Sequence, residues 1–162
     1  MIKLIVNSDD FGMCHSVNVG ILKAFQEGIL TQTTIMPPAP WFEEGIAMAK
    51  EHSIPLGVHL TTACDFDRYT YKPVSGGCSL VRDDGSFYST VAETREAAIK
   101  EEIEAELRAQ IDLVIARGIT PSHIDVHMEA IDEEIVVKLL REYGIHGRRP
   151  VPQTYTDCIY QF

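Results

Sequence analysis

The sequence is poor in basic residues and cysteines and has no long apolar run near its start. Its 14 Lys and Arg residues face 24 Asp and Glu residues, which gives a net charge of −10. Nucleic acids and anionic membranes require a positively charged protein surface, so we expect neither as a partner. The apolar run at residues 2–6 is too short for a signal peptide or a membrane span. We therefore expect a cytoplasmic protein.

The cysteines are scattered and show no CxxC spacing. Four such cysteines in an intracellular chain are more often free thiols than disulfides, and a structural zinc site would need closer pairs. We expect free thiols at Cys14, Cys64, Cys78 and Cys158.

Apolar runs that suit buried strands alternate with segments that have the period of amphipathic helices. This alternation predicts an α/β fold with a parallel sheet, open or closed into a barrel. The length of 162 residues and the hydrophobic content of 45% favour a single domain over residues 1–162. The predicted strands are residues 2–7, 31–36, 56–60, 122–127 and a start at 144–145, and the predicted helices are residues 16–26, 41–52, 93–117 and 132–143.

Residues 61–90 interrupt this alternation, because they show neither helical nor strand periodicity and contain five aromatic side chains. Loops of this length in a small domain are often functional. The loop directly follows a strand that ends near His59, which favours a cover over a substrate. The alternative is a surface insertion with a small hairpin around Asp84 and Gly85.

Three of the apolar runs end in side chains that bind metal ions. Asp9 and Asp10 follow the first run, His59 ends the third, and His127 ends the fourth. The carboxyl ends of parallel strands share one edge of a sheet, where ligand sites form. Taken singly, the acids could form a turn or cap a helix, and a lone histidine is usually a hydrogen-bonded core residue. Together they predict a metal site.

Neighbouring side chains on an extended strand point to opposite faces. Asp9 and Asp10 should therefore have different roles, unless the backbone turns between them. The same period places His123, Asp125 and His127 on one face, with the two histidines about 13 Å apart, too far to share one ion. His127 is the better ligand because it lies nearer the carboxyl end of the strand.

The other two residues of this face have secondary roles in this interpretation. His123 becomes a core residue or a neighbour of the site, and Asp125 orients a metal-bound imidazole or contacts the substrate. A helix would bring His123 and His127 together, but Pro121 and the β-branched residues after it disfavour a helix here.

Three motifs resemble those of a known family in order and spacing. They are NSDDFG at residues 7–12 with Asn18, GVHLT at residues 57–61, and SHIDVH at residues 122–127. These are similar to the motifs of the YdjC-like carbohydrate deacetylases, which include chitooligosaccharide deacetylase. The resemblance covers essentially the whole chain. It implies a TIM-like (β/α) barrel in which Asp10, His59 and His127 hold one divalent metal ion and Asp9 is the catalytic base.

The implied activity is metal-dependent removal of acetyl groups from N-acetylated sugars or oligosaccharides, so the expected partner is a small carbohydrate. A carboxylate and two imidazoles leave room for a water on the ion, which can be zinc or magnesium, with manganese or cobalt also admissible. The general acid stays open between Asp9, His15, Asp125 and a group beyond Phe162. His123 and Asp125 are expected near the site or the substrate.

Two features of the sequence depart from the family pattern. Family members often carry further histidines where this chain has Met128 and Glu129, so the sugar contacts should differ. Five strands are also fewer than a barrel needs, so we expect the chain to continue, to pair as a homodimer or to be unstable. The alternatives are a metal-dependent phosphoesterase, for which no basic phosphate clamp is evident, a non-catalytic carbohydrate-binding protein, and a purely structural set of His and Asp residues.

Overall fold

The computed structural model describes residues 4–64, 66, 68–129 and 131–148. Strands and helices alternate through most of this part of the chain, which confirms the predicted α/β fold. The elements are β1 Asn7–Phe11, α1 His15–Glu27, β2 Gln32–Ile35, α2 Phe42–His52, β3 Leu56–Leu60, α3 Val91–Ala97, α4 Lys100–Ala116, β4 Ile124–Val126, a 3-10 turn His127–Glu129, and α5 Glu133–Tyr143.

The four strands form one parallel sheet in the order β1-β2-β3-β4. Each strand pairs with the next one in the chain, which is the order found in a (β/α) barrel, whereas a doubly wound sheet reverses its order. Within the described residues the sheet stays open. The topology therefore agrees with the predicted incomplete barrel, and all four carboxyl ends lie along one edge.

The main core lies between this sheet and the helices packed on it. Val58 and Leu60 of β3 are completely buried, and so are Leu107 and Ile111 of α4. The spacing along α4 gives one apolar stripe that faces β3. The sheet that positions the strand ends is thus held by a continuous apolar layer.

Several predicted boundaries were wrong. The first strand was expected at residues 2–7, but its pairing with β2 begins at Asn7, while Leu4 and Ile5 are exposed. Asp9 and Asp10 consequently lie inside β1 and not after it.

The helix expected at residues 93–117 is two helices. Thr90 and Glu93 form a capping box that begins α3, and the backbone is extended at Ala98 and Ile99 before α4 begins. Near the expected fifth strand, the described residues show only one parallel bridge, between Ile124 and Gly147.

The described residues of the loop at positions 61–90 pack on the segment that follows β2 and bond to α4. It carries the predicted small hairpin, closed by the Val81–Phe87 bridge, with Gly85 in a left-handed conformation at φ 78°. Its apolar side chains build a second core on the segment that follows β2. This core comprises Met36, Ala39, Cys64, Tyr71, Leu80 and Phe87.

The described cysteines Cys14, Cys64 and Cys78 form no disulfide, in line with the prediction, and Cys158 lies outside the described residues. No helix of the described part is long and apolar enough to cross a bilayer.

Candidate metal centre

A bulge in β1 directs its two aspartates to different partners. The pairing of β1 with β2 shifts between Ser8 and Phe11, and Asp10 adopts a left-handed conformation with φ 66°. The carbonyl of Asp10 then accepts a hydrogen bond from Met13 N at 3.1 Å, which closes a turn. The backbone thus turns at the acid pair, as two acids serving one site require.

Asp10, His59 and His127 meet at the carboxyl edge of the sheet. Oδ1 of Asp10 lies 3.4 Å from Nε2 of His59 and 3.3 Å from Nδ1 of His127. The two imidazole nitrogens are themselves 3.2 Å apart. Both histidines are buried. Three side chains from β1, β3 and the end of β4, far apart in sequence, therefore present three ligand atoms to one point.

Sheet register and a tight turn bring the two histidines together. His59 lies opposite Asp125 in the β3–β4 pair, so His127 follows two residues beyond that register position. The strand ends at Val126, and Met128 has φ 54°, a left-handed conformation that is uncommon for a side chain of this size. The turn directs His127 back to the strand end, where it reaches His59.

Asp125 contacts the other nitrogen of His59. Its Oδ2 lies 3.4 Å from Nδ1 of His59, while Nε2 of His59 faces Asp10. Histidines that bind metals usually direct their second nitrogen to a carboxylate in this way, which fixes the tautomer. The orienting role of Asp125 stays a prediction, which this contact supports.

Electrostatic interactions hold the acids of the cluster in their charged form. Burial raises the pKa of Asp10, but the contacts with His127 and His59 outweigh it and keep the pKa well below its ordinary value. Burial lowers the pKa of His59, yet the contacts with Asp10 and Asp125 raise it overall. A bound cation would compete with the proton on His59, because an imidazole must be deprotonated to bind a metal.

Arg148 forms an ion pair with Asp9 and Asp125 together. Its guanidinium contacts Oδ1 of Asp9, lies 3.2 Å from Oδ2 of Asp9, and lies 2.7 Å from Oδ2 of Asp125. Asn7 donates a further hydrogen bond to Asp9 Oδ1 at 2.8 Å. Asp125 is buried, and although burial raises its pKa, His59 and Arg148 lower it overall.

Arg148 is a residue of this site that was not predicted from the sequence. Backbone hydrogen bonds tie this residue to the sheet, because Arg148 N donates to Ile124 O at 2.9 Å and Ile124 N donates to His146 O at 2.7 Å. The signal was present in the strand start expected at residues 144–145. The rule that found the acids and histidines at strand ends also points to a polar side chain just after that position.

His123 is buried and belongs to neither set of possible metal ligands. Its ring lies over Gly57 of β3, where an added Cβ would come within 2.5–2.7 Å of the ring atoms. Burial, assisted by the charge of Arg148, lowers the pKa of His123 to about 4. The imidazole is therefore neutral near pH 7.

His15 also lies apart from the metal-binding cluster. Its side chain is exposed, its Nδ1 lies 2.8 Å from Oε1 of Glu44, and its ring packs against that of Trp41. The structure thus places His15 next to a different set of partners from those of Asp10.

Two sets of ligand atoms in the described residues are close enough to hold one ion. The first is Asp10, His59 and His127, and the second is Asp9, His59 and Asp125. Arg148 already pairs with both acids of the second set, and its positive charge opposes the binding of a cation there, which favours the first set.

The first set also fits a metal ion by its geometry. Ligands about 2.0–2.1 Å from a tetrahedral ion lie about 3.3 Å from one another, and the three separations are 3.2, 3.3 and 3.4 Å. The buried Oδ1 of Asp10 accepts no hydrogen bond of normal geometry from the described residues. An atom whose partner is an ion has this environment.

A family model described as YdjC-like protein matches residues 3–159. The chain belongs to the YdjC-like family. It is 38% identical to a carbohydrate deacetylase of Brevibacillus brevis strain 47, over 91% of this chain and 59% of the relative. It is 34% identical to a carbohydrate deacetylase of Geobacillus stearothermophilus, over 91% of this chain and 58% of the relative.

A solved structure is similar to this chain over most of its length. It is a crystal structure from Enterococcus faecalis V583, provisionally described as a cellobiose-phosphate cleavage protein. The TM-score is 0.81 at 29% identity, and the match covers 95% of this chain and 64% of that one. The chain thus spans about three fifths of the length of the curated relatives that it matches.

Proposed function

We propose that this YdjC-like chain carries the metal-dependent catalytic centre of a carbohydrate deacetylase that hydrolyses the acetamide group of N-acetylated sugars. The main support is the convergence of Asp10, His59 and His127 beside a second acid, Asp9. The curated relatives described as carbohydrate deacetylases support the choice of substrate class.

In this proposal Asp10, His59 and His127 hold one divalent ion. When bound, such an ion lowers the pKa of a water molecule toward neutrality and polarises a carbonyl oxygen. The two imidazoles and the tetrahedral spacing favour zinc, while the carboxylate also admits magnesium, manganese or cobalt.

Asp9 acts as the general base. Arg148 and Asn7 fix its carboxylate at the edge of the cluster, so that it can accept the proton of the attacking water. The water oxygen adds to the acetyl carbon, the carbon–nitrogen bond breaks, and the products are acetate and a free amine on the sugar. Asp9 then returns its proton to the leaving nitrogen.

Two further side chains support these groups. Asp125 holds the Nδ1 proton of His59, which leaves Nε2 to face the ion. Arg148 keeps Asp9 and Asp125 in fixed positions through one guanidinium.

A metal-dependent phosphoesterase is the second candidate, because Arg148 places one guanidinium beside the cluster. This cation is already shared by two carboxylates, and an anionic substrate would have to displace them. The same contacts therefore favour a neutral amide as substrate.

The test is product release from matched substrates. Acetate would be measured from N-acetylglucosamine oligomers and from O-acetylated sugars, and phosphate from simple phosphate esters, each with added zinc, magnesium, manganese or cobalt. We expect metal-dependent acetate release that the Asp9→Asn variant loses. Phosphate release without acetate release would favour the second candidate, and sugar binding without turnover at saturating metal would indicate a binding protein.

A further inference from the structure

Trp41 is a half-exposed aromatic side chain beside the turn that carries Asp10. It is the single tryptophan of the sequence, and 43% of its surface is exposed. Its backbone N–H donates to Gly12 O at 2.9 Å, and Gly12 lies two positions after Asp10. Trp41 directly precedes α2, on the same sheet edge as the candidate metal ligands.

A polar network holds this part of the surface in place. The completely buried Asn18 accepts from Gly12 N at 2.7 Å and donates to Trp41 O at 3.2 Å and to Glu44 at 2.7 Å. Glu44 in turn fixes His15, whose ring centroid lies 5.4 Å from that of Trp41 at an interplanar angle of 47°. The carboxylate of Glu44 and the imidazole of His15 thus have fixed positions beside the indole.

This arrangement fits a sugar ring. An exposed indole presents a large apolar surface to water, which stacking on the C–H face of a pyranose would remove. The side chains of Glu44 and His15 can accept and donate hydrogen bonds to ring hydroxyls at its border. The carboxylate and the net charge of −10 disfavour a phosphorylated or carboxylated sugar unit.

We propose that Trp41, His15 and Glu44 form a second saccharide-binding subsite, which holds a neutral sugar unit adjacent to the one at the metal centre. This inference rests on the proposed function for its substrate class. It implies that the substrate is an oligosaccharide and that units beyond the acetylated one contribute to binding.

The first test uses the fluorescence of Trp41 as a direct report of binding. The 162-residue chain with Asp9→Asn, which should not turn substrate over, is titrated with N-acetylglucosamine and its dimer, trimer and tetramer. We expect a saturable change in emission with the oligomers and a much weaker response to the monomer. An emission spectrum that does not change at oligomer concentrations saturating the wild-type reaction would overturn the proposal.

The second test measures binding energy by kinetics. Removing the stacking surface with Trp41→Ala should raise KM for the tetramer about fivefold to tenfold, mostly without loss of kcat. Trp41→Phe should recover most of that loss, because a smaller ring still stacks. Ile29→Ala is the matched control, since Ile29 is 77% exposed and lies past the end of α1, near the opposite edge. An unchanged KM in a folded Trp41→Ala variant would overturn the subsite.

The two proposals fail in different ways. Oligomer-dependent Trp41 fluorescence without acetate release from any substrate would contradict the deacetylase and support the subsite. Acetate release with no effect of Trp41→Ala on KM would contradict the subsite and support the deacetylase.

Discussion

At the scale of single residues, Arg148 separates the three acids of the site into two groups. It forms ion pairs with Asp9 and Asp125, while Asp10 faces the two histidines. The two acids of β1 therefore differ in their partners, although they are adjacent in sequence. This difference supports Asp9 as a base and Asp10 as a ligand.

Replacing Arg148 by Gln should lower kcat by about 10–100-fold, which is typical when a group that orients the reacting side chains is removed. Asp9 would lose its fixed position, and the buried Asp125 would keep a charge without its cation. Metal content should not change, because the three proposed ligands have other contacts. The measurement is acetate release together with elemental analysis.

Arg117→Gln is the control for this change, because Arg117 forms an exposed ion pair with Glu43 away from the cluster. Activity in Arg148→Gln equal to that of this control would show that Arg148 has no part in the reaction.

The ligand residues could be predicted from the sequence, but the partner of Asp9 could not. Each proposed ligand ends an apolar run or follows it closely, so local patterns and a parallel sheet suffice to bring them together. Arg148 is 139 positions from Asp9, and the described segment before it has one bridge to the sheet. The strand start expected at residues 144–145 indicated this segment, but no local pattern identified the arginine as the partner of Asp9.

At the scale of elements, strand β3 depends on a glycine to approach β4. Gly57 leaves the space that the ring of His123 occupies, and His59 lies two residues further along the same strand. Packing at Gly57 therefore affects the strand that carries a proposed ligand.

Gly57→Ala should destabilise the protein by about 1–3 kcal/mol, because the new methyl group collides with the buried ring of His123. The double variant Gly57→Ala/His123→Ala should recover part of the lost stability, since His123→Ala removes the ring with which the methyl group collides. Urea unfolding of the four proteins gives the coupling energy. Strictly additive effects would mean that the two residues do not collide.

Helix α4 holds the loop of residues 61–90 through buried polar side chains. Glu106 accepts hydrogen bonds from Val74 N at 3.0 Å and Ser75 N at 2.7 Å. Gln110 bonds both the N–H and the carbonyl of Thr61, two residues after His59. A buried carboxylate is stable only when its oxygens are hydrogen-bonded, so these contacts fix the position of the loop.

Glu106→Gln should loosen this loop, because the amide replaces one charged acceptor by a donor that faces other donors. We expect hydrogen exchange at the amides of Val74 and Ser75 to become about tenfold faster or more. Glu101→Gln, an exposed change on the same helix, is the control and should leave exchange unchanged. Equal exchange in both variants would contradict the holding role of Glu106.

The sequence predicted the number and order of most elements better than their ends. The alternation of periods located four strands and four helical segments, but a single amphipathic stripe over residues 93–117 did not reveal the break at Ala98 and Ile99. That break depends on where the loop packs, which is a tertiary effect. The start of β1 likewise depends on its pairing with β2.

At the scale of the whole molecule, the sequential parallel sheet is what creates the candidate centre. Ligands from β1, β3 and the end of β4 converge only because these strands run side by side in one direction. The chain belongs to the YdjC-like family and spans about three fifths of its curated relatives. The proposed activity therefore concerns the part of the family fold that contains the carboxyl edge of this sheet.

The most direct measurement is the metal content of purified variants by elemental analysis after incubation with zinc, magnesium, manganese or cobalt. The wild-type chain should hold one divalent ion, and so should Asp9→Asn and the control His52→Ala, whose histidine lies at the end of α2. Asp10→Ala and His127→Ala, checked for folding by circular dichroism, should hold almost none. Stoichiometric metal in both of these variants, or its loss in Asp9→Asn, would contradict the ligand set of Asp10, His59 and His127.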